Sequence, residues 1–247
     1  MGVATVGHAI FAASLIALGL LGLVSGDFAP IWNPVPKGVP ARELLVYLCA
    51  FVSLACGIGL LWKRTSTLAS RVLLAYLGLW LLAFRVPALA SEPTKTDSWF
   101  GISETAVYLA AAWVIYAWPA GSAGRFRIPR VLYGLSLITF GVAHFTYLNE
   151  STQFVPNWLP WHLAWVVFTG AAYLAAALSI LTGVLAPLAA KLSAWQMGGF
   201  TVLVWFPIVM SGAPSAFTWS EFVVSIALTA SAWVVSDSYR RSVELRP

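Results

Sequence analysis

The chain of 247 residues is too apolar and too poor in charge to be a soluble domain. Hydrophobic residues make up 60% of it and charged residues 9%, against about 25% charged in soluble proteins, and the mean hydropathy is +0.83. The formal charge of +5 comes from basic residues in loops between apolar runs, so it does not indicate a nucleic-acid-binding surface. We therefore predict an integral membrane protein surrounded by the lipid bilayer, with no nucleic-acid partner.

Eight runs contain the roughly 20 mainly apolar residues that a membrane-spanning helix needs. In chain order they cover residues 3–25, 44–62, 69–90, 104–120, 129–148, 161–185, 188–211 and 218–237. The first run lacks the basic flank of a signal peptide and has a spanning counterpart in the second half, so we expect it to belong to the mature protein. Pro87 and Pro207 fall late in the third and seventh runs, where we expect them to kink the helices.

One pattern occurs twice in the chain. The Val-Pro-x-x-Val-Pro sequence of residues 35–40 recurs 120 residues later as Val-Pro-x-x-Leu-Pro at 155–160, and Pro87 matches Pro207 at the same offset. Matching residues before this pattern are 122 positions apart, and those near the end of each half are 117 apart. The two halves therefore differ in the lengths of their connecting loops, as expected after an old duplication. The predicted fold is an all-α membrane protein of two tandem pseudo-symmetric four-helix bundles, residues 1–120 and 130–247, joined by a basic cytoplasmic linker, 121–129.

The distribution of Lys and Arg between the loops predicts the orientation. If the N-terminus is cytoplasmic, ten basic residues lie on the cytoplasmic side and four lie outside, namely Lys37, Arg42, Arg85 and Lys95. We therefore expect both termini in the cytoplasm and both Val-Pro loops outside. Each half has an even number of spans, so the two halves should share one orientation and be related by an axis along the membrane normal.

Five ionisable residues near the outer ends of the predicted spans could carry chemistry: Arg85, Glu104, His144, His162 and Glu221. Glu104 and Glu221 each follow a serine at a predicted helix start, where the helix dipole favours a carboxylate. Arg85 could snorkel to the outer interface. The alternative is that ionisable groups within the membrane mark a pocket or a proton path.

His144 lies in an apolar and aromatic segment, Gly141-Val-Ala-His-Phe-Thr-Tyr147, where a charged imidazole is costly. One interpretation is a neutral histidine satisfied by a neighbouring backbone, and the other is a hydrogen-bonded pair with Glu221. The first half has Gly22 at the matching position. A site built on His144 would therefore belong to the second half alone.

The sequence contains no motif of a known metal or cofactor site. Zinc-ligand spacings, a nucleophile elbow, a glycine-rich phosphate loop and a dinucleotide fingerprint are missing. Two histidines that hold haem must face each other. His8 lies at the opposite, cytoplasmic end, so His144 with His162 is the one conceivable pair, and haem is disfavoured on this ground. The residues by themselves imply no bound metal ion and no cofactor.

At Gly141-x-x-His144-Phe145, Val155-Pro-x-Trp-Leu-Pro160, Trp165 and Thr169-Gly170, the second half resembles the DoxX-like family of four-helix membrane proteins. The resemblance covers about residues 130–240. The first half departs from it, because Gly-Val-Pro replaces Trp-Leu-Pro and the histidine is missing. The resemblance implies one four-helix bundle per unit and a place in the bacterial inner membrane. The family includes the membrane subunit associated with thiosulfate:quinone oxidoreductase, although most members have no assigned reaction.

Three functions stay open on the sequence, and so does the question of whether the protein is an enzyme. The first is a redox-associated subunit that binds a quinone or a similar lipid-soluble molecule in an outer-side pocket of the second half. In it, His144 and Glu221 are the candidate catalytic groups and would handle protons, while a protein partner in the membrane would supply the electron-transfer cofactor. The expected ligand-binding residues are Arg85, Glu104, His144, Trp158, Trp161, His162 and Glu221.

The second function is a non-catalytic scaffold or assembly subunit of a larger membrane complex, which would use its aromatic loops and small-residue helix faces for contacts. In that case Trp158 and Trp161 belong to an interfacial aromatic belt. The third is a small-molecule transporter. The scarcity of polar residues in the cytoplasmic half of the spans argues against a path through the membrane.

Overall fold

The computed structural model describes residues 4–120 and 122–245, which are helical with no strand. Eight helices are long and apolar enough to cross a membrane: α1 (Val6–Ser25), α2 (Arg42–Leu60), α3 (Lys63–Ser91), α4 (Thr96–Ala117), α5 (Ala123–Thr146), α6 (His162–Thr182), α7 (Ala186–Met210) and α8 (Ala216–Glu244). The prediction of an all-α protein with eight spanning segments is confirmed. Helix α5 begins inside the predicted linker; residue 121 of that linker and Arg246, one of the ten basic residues counted as cytoplasmic, lie outside the described residues.

Helix α4 begins at Thr96, eight residues before the predicted start of the fourth span. Its first turns are polar, and Asp97 is favourable at the positive end of the helix dipole. A search for a continuous apolar run therefore places the start of the helix too far along the chain. Glu104 consequently lies about 12 Å along the axis from the helix start. The prediction that Glu104 opens a helix is wrong.

The same correction applies to Glu221, which lies in the second turn of α8. The helix begins at Ala216 and is capped by Ser215, whose Oγ accepts a hydrogen bond from the backbone N–H of Thr218 at 3.1 Å. Both glutamates are thus carried by the body of a helix, and neither is engaged in capping one.

Helices α3 and α7 continue through their prolines by means of one π-helical turn each. Residues Leu81–Arg85 precede Pro87, and Thr201–Trp205 precede Pro207. The residue just before each proline donates its backbone N–H to the carbonyl five residues earlier: Val86 donates to Leu81, and Phe206 donates to Thr201. The wider turn lets the helix go on where the proline has no N–H to donate.

The closest helix pairs are α1 with α2 and α5 with α6. Glycines allow both pairs to approach: a Cβ added to Gly19 would lie 2.7 Å from the carbonyl oxygen of Ala50, and one added to Gly141 would lie 2.9 Å from that of Gly170. Helix α4 packs on α5, α8 packs on α1, and α4 and α8 pack on each other. The Tyr108 hydroxyl of α4 donates to the Val224 carbonyl of α8 at 3.2 Å, so these two helices hold the halves together.

The loop between α1 and α2, residues 26–41, is folded into the protein; we call it the first Val-Pro loop. Its buried residues are Phe28, Ala29, Ile31, Trp32 and Val35. Trp32 is only 2% exposed, and its ring lies 5.3 Å from that of Tyr76 and 5.2 Å from that of Trp80. The indole Nε1 of Trp80 donates to the Trp32 carbonyl at 3.1 Å. The space between this loop and α3 is therefore filled by aromatic rings.

The loop between α5 and α6, residues 147–161, behaves differently; we call it the second Val-Pro loop. It contains a short helix, Leu148–Thr152, and none of its residues is buried. Trp158 is 71% exposed and Trp161 is 80% exposed. Phe154 approaches α7, with its ring centroid 6.5 Å from those of Phe200 and Trp205, but the loop does not close the space beside α7, and a cavity is left there.

Candidate functional site in the second half

A cavity of about 740 Å³ lies between helices α4 to α8 and the second Val-Pro loop. This volume is within the range of small-molecule sites. Nine aromatic residues line it: Phe100, Phe140, Tyr147, Phe154, Trp158, Trp165, Tyr173, Phe200 and Trp205. Such a lining suits an apolar or ring-containing molecule.

Three ionisable side chains that the sequence singles out meet in this cavity. Glu104 comes from α4, His144 from α5 and Glu221 from α8. Although the chain has 14 basic and 9 acidic residues, no Lys or Arg from its described part lines the cavity. Asp97 and Glu150 add two further carboxyl groups. The polar part of the cavity is thus acidic and rich in hydrogen-bond acceptors.

His144 is oriented by its own helix. Its Nδ1 lies 2.7 Å from the carbonyl oxygen of Phe140, and because a carbonyl only accepts, Nδ1 carries the proton. The imidazole also lies against the ring of Tyr173, with 5.5 Å between centroids. Nε2 makes no hydrogen bond to any described residue. The structure shows the first of the two interpretations, a histidine satisfied by a neighbouring backbone, and no hydrogen bond joins His144 to Glu221.

Arg85 lies behind Glu104, outside the cavity. Its side chain is buried, with 6% of the residue exposed, and Nη2 donates to the Ile31 carbonyl of the first Val-Pro loop at 2.9 Å. The guanidinium lies against Gly101, where an added Cβ would be 2.2 Å from Nη1. Arg85 is close enough for its charge to act on Glu104. The expectation that Arg85 snorkels to the interface is wrong, because the side chain is buried and bonded to the loop backbone.

Gln196 is not among the residues predicted from the sequence, yet it lines the cavity from α7. Its Nε2 donates to the Thr169 carbonyl at 2.9 Å and ties α7 to α6. The sequence carries a signal for it, because Gln196 is the single amide side chain in the seventh apolar run. Behind it, the hydroxyls of Thr201 and Ser225 lie 2.7 Å apart and join α7 to α8.

The second Val-Pro loop forms the mouth of the cavity. Tyr147, Glu150 and Trp158 line this end together with Asp97. Desolvation and the neighbouring Asp97 carboxylate raise the pKa of Tyr147, which keeps its hydroxyl protonated. The mouth thus presents aromatic rings and acidic groups to an incoming molecule.

The seven predicted ligand-binding residues divide into two groups. Four line the cavity: Glu104, His144, Trp158 and Glu221. The other three do not: Arg85, Trp161 and His162. Trp161 ends the second Val-Pro loop with its ring turned outward, and His162 begins α6. No group of three His, Cys, Asp or Glu that could hold a metal ion occurs in residues 4–120 and 122–245.

Residues 133–235 match a family model described as a domain of unknown function (DUF8561). The match covers less than half of the chain. It contains α6 and α7 whole and most of α5 and α8, and it leaves out α4, which contributes Glu104 to the cavity. No curated protein and no solved structure matches the chain.

Proposed function

We propose that this membrane protein binds a quinone or a similar lipid-soluble ring compound in this cavity. The expectation that a site built on His144 belongs to the second half alone is wrong, because Asp97, Phe100 and Glu104 of α4 also line the cavity. The observation that carries the proposal is the meeting of His144, Glu104 and Glu221 in an aromatic cavity of about 740 Å³. Aromatic walls suit a planar ring with an apolar tail. An imidazole and two carboxyl groups beside the ring could form hydrogen bonds to it and exchange protons with it. An electron-transfer partner would have to be another protein of the membrane.

The proposed architecture is a pair of tandem, pseudo-symmetric four-helix bundles. Two backbone irregularities support it, because both recur at the 120-residue spacing of the sequence repeat. The π-helical turns occupy Leu81–Arg85 and Thr201–Trp205. Ala41 and Trp161, which lead into α2 and α6, both have left-handed backbone angles, with φ of 55° and 57°. A duplicated segment is expected to keep such features in register.

The duplication suggests where a ring would lie in the cavity. At the 120-residue offset, Tyr76 and Trp80 correspond to Gln196 and Phe200. In the first half the Trp32 ring lies against Tyr76 and Trp80, whereas Gln196 and Phe200 line open space. We therefore propose that a ligand ring takes, in the second half, the place that Trp32 takes in the first.

We further propose that the chain is a DoxX-like protein of the bacterial inner membrane with both termini in the cytoplasm and the cavity mouth outside. The support for membership is that residues carrying the resemblance surround the cavity, namely His144, Val155, Pro156, Trp158, Leu159, Trp165 and Thr169. Gly141 and Gly170, also part of the resemblance, make the close crossing of α5 and α6. The support for the orientation is the excess of basic residues in the loops assigned to the cytoplasm.

The test is mass spectrometry of a solvent extract from gently purified protein. Wild type should yield one ring compound in stoichiometric amount, and His144→Ala should lose it. Gly199→Leu should lose it as well, because Gly199 lines the cavity and an added Cβ there meets nothing within 4 Å, so a leucine fills the cavity without a clash.

Two variants serve as controls for this test. His162→Ala removes a histidine that does not line the cavity, and Gly78→Leu adds the same side chain to α3, where an added Cβ also meets nothing within 4 Å. Both should keep the compound. Bulk lipid alone in the wild-type extract would contradict the proposal and favour the scaffold, for which a Trp158 variant should release a protein partner.

A further inference from the structure

We infer that the cavity selects molecules whose head group donates hydrogen bonds, and so binds the reduced, dihydroxy form of a quinone in preference to the quinone itself. The inference rests on the proposed function, because it concerns the same cavity. It adds the direction of the hydrogen bonds, which the positions of hydrogen-bond donors and acceptors in the cavity determine.

His144 supplies the clearest acceptor. Its Nδ1–H is directed to the Phe140 carbonyl at 2.7 Å, so the neutral ring has only a lone pair at Nε2. Nε2 of His8 is buried without a partner, whereas Nε2 of His144 is not enclosed by protein, and His144 lines the cavity. A ligand hydroxyl can donate to this atom. A quinone carbonyl would place its own lone pairs against it.

The carboxyl groups extend the same pattern. Glu104 and Glu221 line the cavity, and neither is hydrogen-bonded to a described residue. An ionised carboxylate only accepts, and even a protonated one keeps an accepting oxygen. Arg85, whose charge acts on Glu104, does not line the cavity, and its Nη2 donates to the Ile31 carbonyl. No lysine or arginine of the described chain lines the cavity to donate to a quinone oxygen.

Two of the remaining polar side chains near His144 direct a donor to the protein itself. Gln196 directs Nε2 to the Thr169 carbonyl at 2.9 Å. Thr169 directs its hydroxyl to the Trp165 carbonyl at 2.9 Å. A molecule with two hydroxyl groups on an apolar ring would therefore satisfy acceptors that an apolar or purely accepting molecule leaves unsatisfied, and such unmatched buried acceptors weaken binding.

The test compares three probes of nearly equal shape by titration calorimetry of the full chain in detergent without oxygen. The probes are duroquinol, which donates two hydrogen bonds, duroquinone, which only accepts, and the dimethyl ether of duroquinol, which cannot donate and cannot be oxidised to the quinone by loss of hydrogen. We expect duroquinol to bind about tenfold more tightly than the other two. His144→Phe should remove most of this preference while leaving the affinity for duroquinone within about twofold.

Two variants separate loss of the acceptor from loss of the fold. His144→Gln keeps an accepting oxygen and should retain much of the preference, while His162→Phe changes a histidine outside the cavity and should bind all three probes as wild type does. Equal affinities for the three probes, or tighter binding of duroquinone, would overturn the inference and leave the proposed function standing. Failure of all three to bind would overturn the proposed function as well.

Discussion

Replacing Gly101 with alanine should displace the buried guanidinium of Arg85. The added Cβ would lie 2.2 Å from Nη1, and ordinary contact begins at 3.4 Å, so the guanidinium must move by about 1.2 Å. A shift of that size away from α4 would stretch the 2.9 Å bond between Nη2 and the Ile31 carbonyl past hydrogen-bond length. The first Val-Pro loop would lose a charged hydrogen bond in a buried place.

The expected cost follows from that bond. A hydrogen bond to a charged group contributes about 1.5–3 kcal/mol, and alanine in a helix gains about 0.5–1 kcal/mol over glycine. The net loss should be about 1–2 kcal/mol, which corresponds to a fall of about 2–8 °C in Tm for a chain of this size. Gly78→Ala is the matched control, because an added Cβ there meets nothing within 4 Å, and it should leave Tm unchanged or raise it.

Thermal unfolding of the purified variants in one detergent measures this difference. The double variant Arg85→Met with Gly101→Ala isolates the contact: once the guanidinium is gone, the alanine should no longer be destabilising. A Gly101→Ala protein that is as stable as Gly78→Ala would refute the reasoning, because it would mean that Arg85 is not held against α4.

Two further substitutions test the packing that shapes the site. Trp32→Ala should lower the free energy of unfolding by about 3–5 kcal/mol, because it leaves a void between Tyr76 and Trp80. Added indole can fill this void, so it should raise Tm more in the variant than in wild type. If indole has no extra effect on the variant, the Trp32 ring does not fill that space. Gly141→Ala should cost about 1–3 kcal/mol, since the new Cβ would lie 2.9 Å from the Gly170 carbonyl, while Gly198→Ala, with 3.4 Å to its nearest atom, should be neutral in the same thermal scan.

Span number was predictable from the sequence because the bilayer imposes a long apolar run on every crossing helix. The same rule misplaced Glu104, since it cannot see a helix that begins in polar residues such as Thr96 and Asp97. His144 and Glu221 were predictable as site residues because ionisable side chains are rare within membrane-spanning segments, and both line the cavity. The structure has no bond between them, and the His144 ring donates to the Phe140 carbonyl of its own helix.

The difference between the two Val-Pro loops could not be read from composition. Both loops contain tryptophan and are rich in proline, yet Trp32 is buried and Trp158 is exposed. The difference depends on which partners the folded protein offers. Trp80 and Arg85 donate to the backbone of the first loop. At the 120-residue offset, Phe200 has no side-chain donor, and the indole N–H of Trp205 makes no hydrogen bond to any described residue of the second loop. Hydrogen bonds between residues about 50 positions apart produce no periodic pattern in the sequence, so they could not be predicted from it.

Helix α4 supplies one wall of a cavity whose other walls come from the second half. A substitution at Glu104 or Phe100 is therefore felt by residues more than a hundred positions away. The two halves of the chain are not free to diverge independently, because a change in either must remain compatible with the other. A gene split between the halves would yield two fragments of which neither encloses the cavity.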